Sequence, residues 1–389
     1  MRHLTRITVT VSAAGWLALT VVLHAQKPLF EAGTQIPIGR GSGPLTLIDT
    51  NGDTHLDLVV GRFQRGPEVR LGNGRGQFSP APGGPLNLGV ELSSMVLGDV
   101  TADGVPDLVA THKDSVNEYV QVFPGEGNGR FRRNKRHKAN DSFEFYKPAI
   151  RLADVDANGA IDIITSNGRR NTIEVLLGNG RGGFTAAHKA SLTPGSSFWT
   201  FGVGDIDADG FVDLVTTFDP SGAASARVEI RRGLGNGRFE EPSSGISVRP
   251  GARIAAVADL NADARPDVVV SHVDTGWMSI LLNDGRGSLT PAPQSPRDLG
   301  LQPFGVVVTD INHDRRADIV ATTVNSQARP FESKVVVLLG DGFTATGSPL
   351  PVGPGAYSLA VGDIDEDGKL DAVTSSFEGD SISVLLGRQ

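Results

Sequence analysis

The sequence contains no cysteine, so no disulfide can staple the chain and no lipid can be attached through a cysteine thiol. Aromatic residues make up only 6 % of it, and the 36 lysines and arginines are outnumbered by 44 aspartates and glutamates, a formal charge of −8. That sign argues against a broad nucleic-acid surface. Past the first two dozen residues no apolar run is long enough to cross a bilayer. Zinc signatures, phosphate loops and nucleophile elbows are also missing. What the chain has in quantity is glycine (49) and proline (23), without the period of collagen. Both punctuate elements and weaken helix interiors, so an all-β fold of many short strands is expected.

The start, MRHLTRITVTVSAAGWLALTVVLHAQ, joins a basic end (Arg2, Arg6) to an uncharged apolar stretch and a cleavage-like Leu23-His24-Ala25. Residues 1–25 therefore read as an export signal, although Ile7 to Leu23 borders on the length of a membrane anchor. Residues 26–389 are expected to form one domain with no membrane span. An exported chain without disulfides needs another staple, and a metal ion is the obvious one.

An acidic nine-residue stretch recurs seven times: DTNGDTHLD from Asp49, DVTADGVPD from Asp99, DVDANGAID from Asp154, DIDADGFVD from Asp205, DLNADARPD from Asp259, DINHDRRAD from Asp310 and DIDEDGKLD from Asp363. Successive starts lie 50 to 55 residues apart. Each copy sits between two strand-like runs, A and B. A third run, such as Ile173 to Gly178, leads into a glycine-rich turn, and a weaker fourth strand starts at an aromatic. Four antiparallel strands repeated seven times predict a seven-bladed β-propeller.

The chain ends test this. The last unit stops after its third strand, while Phe30 precedes the first acidic loop much as Phe78, Phe184 and Phe239 precede later ones. The N-terminal strand is thus expected to complete the last blade.

On these residues the chain resembles the FG-GAP, or VCBS-type, repeat family, which includes the propeller of integrin α subunits and many exported bacterial proteins. The resemblance covers roughly residues 27 to 389. It implies up to seven calcium ions, one per blade, held by side chains at loop positions 1, 3, 5 and 9 and by the position-7 carbonyl. Those side chains are Asp49, Asn51, Asp53 and Asp57; Asp99, Thr101, Asp103 and Asp107; Asp154, Asp156, Asn158 and Asp162; Asp205, Asp207, Asp209 and Asp213; Asp259, Asn261, Asp263 and Asp267; Asp310, Asn312, Asp314 and Asp318; and Asp363, Asp365, Asp367 and Asp371. Calcium takes six to eight oxygens, and alternate residues of a tight loop can aim them at one point. An EF-hand is excluded because position 12 is Val60 in the first loop and Thr374 in the seventh, where a bidentate glutamate is needed. Catalytic acids are normally unique to one place, so sevenfold repetition argues for scaffolding. The fourth and seventh loops, with four aspartates each, rank strongest; the second, with Thr101, or the sixth ranks weakest. Position 6 is glycine in four loops but Thr54, Ala264 and Arg315 in the others, a local cost if that position needs positive φ.

In an up-and-down blade the A–B and C–D connections share one face, which leaves B–C and D–A connections on the other. Those opposite loops vary in length and chemistry, and variable loops on a rigid ring are where binding usually resides. Six residues before successive acidic loops stand Trp199, Arg253, Phe304 and Tyr357, a crescent able to stack on a sugar or clamp a peptide. The preferred function is an exported, periplasmic or extracellular, non-enzymatic module that binds or adheres to a glycan or protein ligand. A polysaccharide lyase or hydrolase built on the same scaffold is the alternative, and a structural surface component a third. The basic run Gly129 to Lys138 reads as a solvated insertion loop. His112 and His272 lack a third ligand between them and are not read as a metal site.

Overall fold

The computed structural model describes residues 4–5, 23–24, 29–39, 41–62, 66–86, 91–113, 118–133, 136–140, 149–167, 172–191, 200–220, 222–242 and 245–388. Most of the expected export signal and Trp199 lie outside these residues. Among the described residues there is no helix, and none long and apolar enough to cross a membrane.

Apart from a two-stranded pairing of Leu4–Thr5 with Leu23–His24, seven antiparallel sheets follow one another along the chain, each built in the order A, B, C, D, with an extra short strand, Arg297–Asp298, on strand C of blade 5. Blade 3 is typical: Ile150–Ala153, Asp162–Asn167, Thr172–Gly178 and Phe184–Ser191. Strand B lies in the middle of its sheet and is covered on both sides by neighbouring blades. It therefore reads as a continuous apolar, β-branched run and not as an alternating one. In blade 1 every residue of strand B, Asp57–Arg62, is buried. Strands A of adjacent blades touch one another around the centre.

The core is divided among the junctions between blades. Seven buried clusters are present among the described residues, each shared by two adjacent blades. One of them joins the ends of the ring, packing Leu45, Leu58 and Val60 of blade 1 on Val373, Ile382 and Val384 of blade 7. The fourth strand of blade 7 is Phe30–Pro37, paired antiparallel with strand C, Ser381–Gly387, from Phe30 opposite Gly387 to Pro37 opposite Ser381. The fold is a seven-bladed β-propeller closed by its N-terminal strand.

Two local expectations need correction. In blades 2 and 4 the fourth strand does not start at the aromatic: Phe131 and Phe239 make only isolated bridges to Gly125 and Gly233, and the strands begin later, at Arg136 and Ile246. The end of the basic run is accordingly not an insertion loop, because Arg136–Asn140 is strand D of blade 2.

Candidate functional site

Each acidic loop connects strands A and B and is shaped by its own aspartates. The position-1 carboxylate turns back and accepts the position-6 N–H at 2.8–3.0 Å in all seven loops, from Thr54 onto Asp49 through to Gly368 onto Asp363. The position-5 side chain accepts the position-7 N–H at 2.7–3.0 Å. This tight winding requires positive φ at position 6, including Thr54 (73°), Ala264 (64°) and Arg315 (70°). Position 4 is left-handed as well, with Ala102, Ala157, Ala208, Ala262, His313 and Glu366 all between 53° and 61°. Alanine gave no sign of that in the sequence.

The position-9 aspartate has a role that its place in a ligand pattern conceals. Asp57, Asp107, Asp162, Asp213, Asp267, Asp318 and Asp371 have no exposed surface. One oxygen of each accepts the position-2 N–H at 2.8–3.0 Å. The other accepts an N–H at the end of strand C, at 2.6–2.9 Å: Gly72, Gly125, Gly178, Gly233, Asn283, Gly340 and Gly387. Each therefore ties its loop to the third strand of the blade. Burial pushes these carboxyls above the usual range, to about 6 for Asp213 and Asp371, although the backbone N–H groups pull in the other direction.

Three loops gather three carboxylates with ligand atoms within 4.8 Å of one another: Asp154, Asp156 and Asp162; Asp205, Asp207 and Asp213; Asp363, Asp365 and Asp371. These are positions 1, 3 and 9. Asp209 and Asp367 at position 5 stand outside their clusters, position 5 is exposed in all three loops, and in the seventh loop Lys369 Nζ lies 2.5 Å from Asp367 Oδ2. Loops with asparagine at position 3 are closed differently. Asn51, Asn261 and Asn312 each donate Nδ2–H to the position-5 carboxylate, Asp53, Asp263 and Asp314, at 2.8–3.1 Å. In the second loop Thr101 Oγ1 is 3.5 Å from Asp99 Oδ1.

A hard cation fits the three-carboxylate loops. Asp207 Oδ1 and Asp363 Oδ1 are buried with no hydrogen-bond partner, and only 8 % of the Asp207 side chain is exposed. A buried carboxylate oxygen without a donor is costly. A divalent ion among three such groups satisfies the orphan oxygens and offsets their mutual repulsion. In the fourth loop an arginine intrudes: Arg232 Nε lies 3.0 Å from Asp207 Oδ2. Most other blades carry leucine there, as at Leu71, Leu177, Leu282, Leu339 and Leu386.

On the opposite face the predicted crescent is partly assembled. Phe304 and Tyr357 meet edge to face with centroids 4.7 Å apart, and Tyr357 meets Phe377 at 6.1 Å. Phe377, in the B–C turn of blade 7, is 42 % exposed. It was missed because it belongs to a turn and not to the repeated register. Arg253 is drawn elsewhere: burial lowers its pKa, while Asp274 and Asp219 nearby raise it. The two histidines are core residues. His112 Nε2 lies 2.9 Å from Gln121 Oε1, and His272 Nε2 lies 2.8 Å from Ser279 Oγ.

Three segments, residues 49–110, 154–216 and 259–321, match the FG-GAP-like repeat. With those repeats set in seven blades, the chain is an FG-GAP repeat β-propeller. Similar solved structures include BBS1N, determined in complex with ARL6DN, at 11 % identity and a TM-score of 0.59 over 93 % of this chain and 98 % of that one. A protein from Lactobacillus plantarum aligns at 12 % identity and a TM-score of 0.59, covering 92 % of this chain and 93 % of its own. Identities this low show the shared fold alone. No curated protein matches the sequence.

Proposed function

We propose that the protein is an exported, calcium-binding propeller that acts as a non-enzymatic module, recognising a glycan or protein through the face opposite its acidic loops. FG-GAP repeats often bind calcium, and the loops at Asp154, Asp205 and Asp363 gather the carboxylates to do so. FG-GAP propellers are typically extracellular or periplasmic, which agrees with the signal-like first 25 residues.

The observation that carries the binding role is the aromatic ledge Phe304, Tyr357 and Phe377. Its outermost ring is among the few large apolar side chains left exposed among the described residues. Aromatic groups on the rim of a rigid scaffold supply contact area at low entropic cost. Arg329 extends the ledge by stacking over Phe331 at 4.6 Å, and the Phe331 N–H donates to Glu378 Oε2 beside Phe377.

The test is capture of glycans and proteins on arrays by the purified protein, with calcium and with chelator. Tyr357→Ala and Phe377→Ala should abolish capture while leaving the melting temperature within a few degrees of the parent. Cleavage of a captured polysaccharide, or loss of fold in both variants, would replace this reading.

A further inference from the structure

Between blades 5 and 6, on the same face as the aromatic ledge, lies a cavity of about 250 Å³. Its walls come from three connections. The B–C turn of blade 5 supplies Asp274 and Thr275, the D–A connection supplies Leu301 and Gln302, and the B–C loop of blade 6 supplies Ser326 and Gln327. We infer that this cavity is a subsite for one neutral sugar ring, which narrows the ligand of the proposed binding face to a glycan and rests on that reading.

The chemistry of the walls selects the ligand class. Hydroxyls and side-chain amides offer both donors and acceptors, Asp274 offers acceptors only, and Leu301 offers an aliphatic patch. A pyranose presents the complement: a ring of hydroxyls that donate and accept, and an aliphatic face. Among the described residues, no lysine, arginine or histidine lines the cavity. The nearby Arg253 is already flanked by Asp219 and Asp274, and Arg329, further along the Ser326 loop, is turned to the Ser326 and Ala328 carbonyls and the Phe331 ring. A uronate or phosphate is therefore disfavoured, because its charge would face Asp274.

One wall group is unsatisfied. Gln302 Oε1 is shielded from water and takes no hydrogen bond. Such an acceptor is costly to keep. Gln302 lines the cavity, so a ligand hydroxyl that reaches its side-chain amide would supply the missing donor. The volume suits a single ring and not a folded peptide segment. An exit for a longer chain also exists. The loop that gives Ser326 and Gln327 to the cavity continues to Arg329, which donates to the Ser326 carbonyl, and to Phe331 at the ledge. A glycan seated by one ring can thus extend across that loop toward Tyr357 and Phe377.

Saturation-transfer NMR and calorimetry on the full chain, with methyl glycosides of glucose, galactose and mannose and with glucuronate, test the subsite. At least one neutral glycoside should bind. Gln302→Leu should weaken it about tenfold, the equivalent of one hydrogen bond to a buried acceptor, with an unchanged melting temperature. Glucuronate should bind more weakly than its neutral counterpart, and Asp274→Asn should narrow that gap. Binding of the neutral glycoside that is unchanged in Gln302→Leu but lost in Tyr357→Ala would overturn the subsite while leaving the ledge as the binding surface. Capture of proteins, with no glycoside bound, would also overturn it. Absence of any capture on this face would remove both.

Discussion

The amide of Gly76 donates to the carbonyl of Ile364 at 2.9 Å, so the glycine turn of blade 1 is hydrogen-bonded to the acidic loop of blade 7. The same joint recurs where Gly129 meets Thr50 at 3.1 Å and Gly237 meets Val155 at 3.3 Å. At blade 5 a side chain takes over, Asn283 Nδ2 donating to Ile206 at 2.7 Å. The seam between the two ends of the chain is thus built like the internal junctions.

If that seam is structural, removing the N-terminal strand should be expensive. Deleting residues through Ile38 exposes strand C of blade 7 and takes away buried Leu29, Phe30, Ile36 and Ile38. At about 1.5–3 kcal/mol for each buried apolar side chain, the loss is on the order of 6 kcal/mol or more. Denaturant unfolding measures it, and a peptide spanning residues 29–39 added in trans should restore part of the lost stability. An unchanged midpoint in the truncated chain would show that the seam contributes nothing.

The buried position-9 aspartates should matter even when no metal is present. Asp162→Asn leaves either Val155 or Gly178 without an acceptor for its N–H. The expected cost is about 1–3 kcal/mol in chelator as well as in calcium. Asp156→Asn, which disturbs only one long contact from the Asn158 N–H at 3.3 Å, should change stability only when calcium is supplied. Thermal melts of both variants with and without calcium separate the two roles.

Arg232 should compete with a cation in the fourth loop, since its guanidinium already occupies Asp207 Oδ2. Arg232→Leu restores the residue type found in most other blades and frees that oxygen. Calcium titration calorimetry should then show one site strengthened several-fold, with the other sites unmoved. Weaker binding would mean that the arginine positions Asp207 for the metal.

His272 gives a pH dependence with a defined sign. Burial lowers its pKa from 6.5 to about 4, outweighing the backbone hydrogen bonds at Pro250 and Arg249, which pull it up, while Ser279 Oγ lies 2.8 Å from its Nε2. Between those values the unfolded chain binds the proton and the folded chain does not. The contribution is therefore complete above pH 6.5 and is lost as pH falls toward 4, by roughly 3 kcal/mol. The buried carboxylates Asp213 and Asp371 shift stability the opposite way over part of the same range. The informative quantity is hence the difference between the parent and His272→Gln, which should shrink steadily as the buffer is acidified.

Ring size, blade order and closure were legible because each rests on spacing, which survives wherever strands and loops keep constant length. The left-handed backbone at Ala102, Ala157, Ala208 and Ala262 was not legible, since alanine carries no local preference for it. The later fourth strands of blades 2 and 4 were hidden for a related reason: Phe131 and Phe239 resemble their counterparts, yet the pairing is decided by residues further on. At the candidate metal loops the sequence could show which oxygens are available. It could not show that position 9 is committed to two backbone amides, or that Lys369 and Arg232 reach into the same loops. The ledge at Phe377 escaped because pattern reading finds what repeats, and Phe377 lies in a turn outside the repeated register.

A ring whose end-to-end junction matches its internal ones has no privileged starting point. Joining residue 388 to residue 29 through a short linker and opening the chain within the B–C turn of another blade, at Thr275 for example, leaves each interface with the groups it has now. Gene order along such a circle is then a record of history, and the physics of the folded molecule is indifferent to it.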